Sequence, residues 1–168
     1  MSIDLDDRTF RRLTDAVMPG ERLAPSEAIT IALIAQLAAG VDLDDDVAEG
    51  GLLGAVIRHL CAFAGIPRSS VPVLSPRPLP EDPEARSAWV NWLAGQIVTT
   101  RARELALVLA HLLIVADLEL APVETELLEE LQRVLLVDAH RARELIAEVM
   151  ESVTPGARSE LRDTAHPG

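Results

Sequence analysis

Nine residues between Ala35 and Leu60 return, without a gap, 75 positions further on. Ala35, Leu37, Asp42, Leu43, Glu49, Leu52, Leu53, Arg58 and Leu60 recur as Ala110, Leu112, Asp117, Leu118, Glu124, Leu127, Leu128, Arg133 and Leu135. Asp44 is matched in sign by Glu119. Ala and Leu are abundant here, but abundance does not supply matched Asp, Glu and Arg at one offset. In each copy an apolar segment runs into a short acidic turn and then into an amphipathic segment. Such a chain is constrained to two similar halves stacked about a shared core.

The spacing of apolar residues makes those halves helical. Phe10, Leu13 and Val17 recur at three- and four-residue steps and define a first helix from Asp6 or Asp7 to Met18-Pro19-Gly20. The second helix opens at Leu23-Ala24-Pro25-Ser26-Glu27 and runs to Gly40, apolar nearly all round and therefore central. The third begins near Asp46, in a capping-box string completed by Glu49, and runs to Gly65. A fourth spans Pro83 or Glu84 to about Thr99, and a fifth, apolar like the second, spans Arg101 to Ala116. The sixth starts at Pro122, and the seventh is capped by Asp138 and stopped by Thr154-Pro155-Gly156. Alternation with period two is absent, so strands are not expected.

The fold expected is all-α: one domain of about seven helices over residues 1–156, with halves at about 6–65 and 83–153. A Pro-rich connector, 66–83, joins them, and residues 157–168 form a tail. Six prolines in the connector forbid regular helix, while Val71, Val73 and Leu74 suit packing along the surface.

Composition narrows the function. The 168 residues carry 15 basic against 27 acidic side chains, a net charge of −12, and every basic residue is Arg. Without Lys there is no Schiff-base chemistry and no P-loop. The acidity and the 2% aromatic content oppose nucleic-acid binding. One cysteine rules out a disulfide framework and fits a reducing, cytoplasmic setting. The N-terminus is acidic where a signal peptide is basic, and the run Leu105 to Ala116 is far short of the roughly twenty residues of a bilayer span, so membrane insertion is not expected.

The acidic turns carry the densest chemistry. Asp42, Asp44, Asp45, Asp46 and Glu49 form one group of hard oxygen ligands, and Asp117, Glu119 and Glu124 a second. Such groups suit calcium or magnesium. The first begins like an EF-hand loop but has Val47 where that loop needs Gly and Leu53 where it needs Glu, which excludes it. A purely structural role fits the same residues. Glu49 and Glu124 would then favour the first turns of helices, with Asp42 and Asp117 capping the turns.

The string Ala116-Asp117-Leu118-Glu119-Leu120-Ala121-Pro122-Val123-Glu124 resembles the acidic turn of the TerB-like family of tellurite-resistance-type helical proteins, and Val41 to Glu49 resembles it again. The resemblance covers roughly residues 7 to 152. It implies a bundle of about seven helices with pseudo-twofold symmetry and a non-catalytic role in stress or tellurite resistance. It also implies a divalent cation (Ca, Mg, Mn or Zn) or a basic partner held by Asp42, Asp44, Glu49, Asp117, Glu119 and Glu124. Where the family turn has Gly after its Asp, this chain has Leu43 and Leu118. The alternative is therefore a structural or oligomerising adaptor that has lost the metal site and binds protein partners through helix faces or the connector.

No other constellation competes. His111 is expected as a core histidine, and His59 and His140 on helix surfaces. Cys61, among Leu60, Ala62 and Phe63, reads as a buried thiol. No nucleophile, base and oxyanion donors assemble, so no catalytic activity is expected. Trp89 and Trp92 share one face of the fourth helix and are expected in the core, the other reading being a partner anchor. Arg101-Ala102-Arg103-Glu104 and Arg141-Ala142-Arg143-Glu144 repeat one string at helix starts and read as solvated faces with local ion pairs.

Overall fold

The computed structural model of the chain describes residues 6–39, 52–71, 82–115 and 122–153. Within them lie seven α-helices and no strand: α1 (Asp7–Val17), α2 (Pro25–Ala39), α3 (Leu52–Ala64), α4 (Pro83–Gly95), α5 (Thr100–Val115), α6 (Pro122–Val134) and α7 (Ala139–Val153). A single 3₁₀ turn at Arg68–Ser70 follows α3. Val71 behind it is buried, as the connector's apolar residues anticipate. The acidic turns, the rest of the connector and the tail lie outside the described residues.

Side chains fix the helix starts. Asp6 accepts from the Thr9 N–H at 2.7 Å and caps α1, and that bond holds its carboxyl below the usual range. Asp82 accepts from the Glu84 N–H at 3.2 Å, with Pro83 supplying the first helical residue of α4. Asp138 accepts from the N–H groups of His140 and Arg141 at 3.1 and 3.2 Å and caps α7 as expected.

α2 and α5 form the centre and share the longest helix–helix seam among the described residues. The remaining helices obey an exchange: α3 packs on α2 as α6 packs on α5, and α1 touches α5 as α4 touches α2. The repeat is visible in this pattern. Val56 and Leu60 of α3 are fully buried, as are the matched Leu131 of α6 and Leu135 just past its end, while Arg58 and Arg133 both face solvent. α7 has no counterpart among the described helices and lies over α1 and α5. Buried side chains from all seven helices join in one core.

α3 and α6 also end alike. Gly65 turns left-handed (φ 71°) while its N–H and that of Ile66 reach back to the carbonyls of Ala62 and Cys61. Leu136 does the same (φ 58°), with Leu136 and Val137 bonding to Arg133 and Gln132. A leucine in this conformation is strained by about 1–2 kcal/mol, and its side chain recovers little because it is exposed. Leu136→Gly is expected to stabilise the fold by about 0.5–1 kcal/mol in urea titration, the relief being partly offset by glycine's greater freedom in the unfolded chain. No gain on that substitution would show the turn to be unstrained.

One boundary differs from the sequence expectation. α4 stops at Gly95 rather than near Thr99. Past it, Ile97 drops into the core, Arg103 Nε–H donates to its carbonyl at 2.9 Å, and the next two backbone N–H groups are claimed by a carboxylate from α2. These bonds replace the further turn the chain would otherwise make.

Candidate functional site

Asp42, Asp44, Glu49, Asp117 and Glu119 lie outside the described residues. Glu124 stands in the first turn of α6, its side chain outside what is described. What is described is the pair of helices leading into the two acidic segments. Glu27, near the start of α2, bonds to Val98 and Thr99, just before the start of α5. Joined at their starts and packed along their length, α2 and α5 run in the same direction. Their last residues, Ala39 and Val115, therefore stand at the same end of the bundle.

The opposite end holds two buried carboxylates. Glu27, only 6% exposed, accepts three bonds at one oxygen: from Val98 N–H (3.2 Å), Thr99 N–H (3.0 Å) and Thr99 Oγ1–H (2.9 Å). A negative charge here also faces the positive end of the α5 dipole. One turn into α5, Glu104 is 4% exposed and accepts from Arg101 at 3.2 Å and from Arg141 of α7 at 3.4 Å. These donors come from the starts of α5 and α7 or the loop before α5, so each carboxylate stitches helix ends together.

This corrects the reading of the repeated Arg-Ala-Arg-Glu strings. The first is largely inside: Ala102 and Glu104 are buried, and Arg103 is spent on the Ile97 carbonyl. The second does face solvent, with Glu144 paired to His140 at 2.9 Å, yet its Arg141 reaches across to the first. A signal was available. Glu104 lies next to Leu105 and two residues from Ala102, on a helix whose residues from Leu105 onward are almost all apolar, where most side chains are buried.

The other singled-out residues divide. Cys61 is buried as expected, and burial pushes its thiol pKa up. His111 is half-buried, and burial holds its pKa below the ordinary histidine value. His140 is exposed as anticipated. His59 is not on the surface: α1 lies over it, its ring stacks on Phe10 at 5.0 Å, and Nδ1 is 3.1 Å from Asp7 Oδ1. Trp89 is half-buried against the core. Trp92, expected beside it inside, is 55% exposed and stacks on Trp89 with centroids 5.5 Å apart. Arg86 crosses from α4 to Glu126 of α6 at 3.3 Å, its Nε buried with no hydrogen-bond partner among the described residues.

Among the described residues, no three His, Cys, Asp or Glu side chains are placed to hold a metal ion, and no helix is long and apolar enough to cross a membrane. Compared with models of protein families, with curated proteins and with solved structures, the chain finds no match.

Proposed function

We propose that this is a non-catalytic, cytoplasmic module of the TerB-like stress- and tellurite-resistance type, whose two acidic turns bind a divalent cation or a basic partner. The observation that carries this reading is the shared direction of α2 and α5, which brings Ala39 and Val115 to one end of the bundle. The acidic segments holding Asp42, Asp44 and Glu49, and Asp117, Glu119 and Glu124, follow directly from those helix ends. Carboxylates held near one another repel until a cation or an Arg-rich surface neutralises them. A native-state ligand of this kind raises the thermal midpoint.

The test is a melt of the whole chain with and without millimolar calcium, magnesium, manganese or zinc. Stabilisation is expected for at least one ion, and it should vanish in an Asp42→Ala/Asp117→Ala variant whose helicity is unchanged. Absence of any shift removes the metal half of the proposal and leaves the basic partner. Leu43 and Leu118, where the family turn has Gly, favour a second reading: an adaptor that has lost the ion and kept the bundle.

A further inference from the structure

We draw no further inference here: the strongest candidate, the exposed apolar side chains of Trp92, Val98 and Leu136 at the ends of α4 and α6, carries nothing because nothing in the structure shows what covers them.

Discussion

Replacing Arg101 and Arg141 together by alanine is expected to cost the fold about 3 kcal/mol, the low end of what an uncompensated buried charge costs. Glu104 is 4% exposed, and these two guanidinium groups are its hydrogen-bond donors, at 3.2 and 3.4 Å. Their removal strips the charge of its partners while α5 holds it against the bundle. The low end applies because truncating two long side chains also lets some water reach the carboxylate. Either arginine alone should cost much less, since the other remains. Glu104→Leu is the informative contrast: removing the charge itself should be near neutral, because a buried ion pair gains little over an apolar residue of similar volume. Urea unfolding followed by circular dichroism measures all four variants. If the double variant loses less than about 1 kcal/mol, Glu104 is a solvated surface charge.

Glu27→Ala is expected to cost about 2 kcal/mol, near the value of a charged hydrogen bond. Three donors lose their acceptor at once. The loss is capped because Val98 and Thr99 are themselves exposed, so their freed N–H groups can turn to water. Glu27→Gln keeps an acceptor oxygen but loses the charge facing the α5 dipole, and should cost roughly half as much. The same urea titration reports both. Equal losses for Ala and Gln would assign the whole effect to charge, and no loss would show that the clasp does not hold the α4–α5 corner.

The helices were legible because their signals are local. Asp6, Asp82 and Asp138 each cap through a hydrogen bond two or three residues away, and Pro25, Pro83 and Pro122 begin helices as their missing N–H allows. Recurrence of matched residues at a constant offset made the paired halves legible too. The polar interior was not, because its partners are far apart in the chain. Glu27 meets Thr99, and Glu104 meets Arg141, through packing that spacing alone does not encode. His59 and Trp92 were misplaced for a related reason. Each sits at the edge of an apolar arc, and a neighbouring helix decides its side: α1 lies over His59, and nothing described lies over Trp92. Of the candidate site, the sequence supplies the ligand chemistry, and the described residues add only the direction of the helices that lead to it.

The central position of α2 has a consequence for synthesis. Its apolar circumference finds cover on one side from α3, which follows soon after it, but its longest seam is with α5, which leaves the ribosome some sixty residues later. Until then the growing chain presents an uncovered greasy rod, the kind of surface that chaperones hold. The Glu27 clasp, tying residue 27 to residues 98 and 99, can close only when that wait is over.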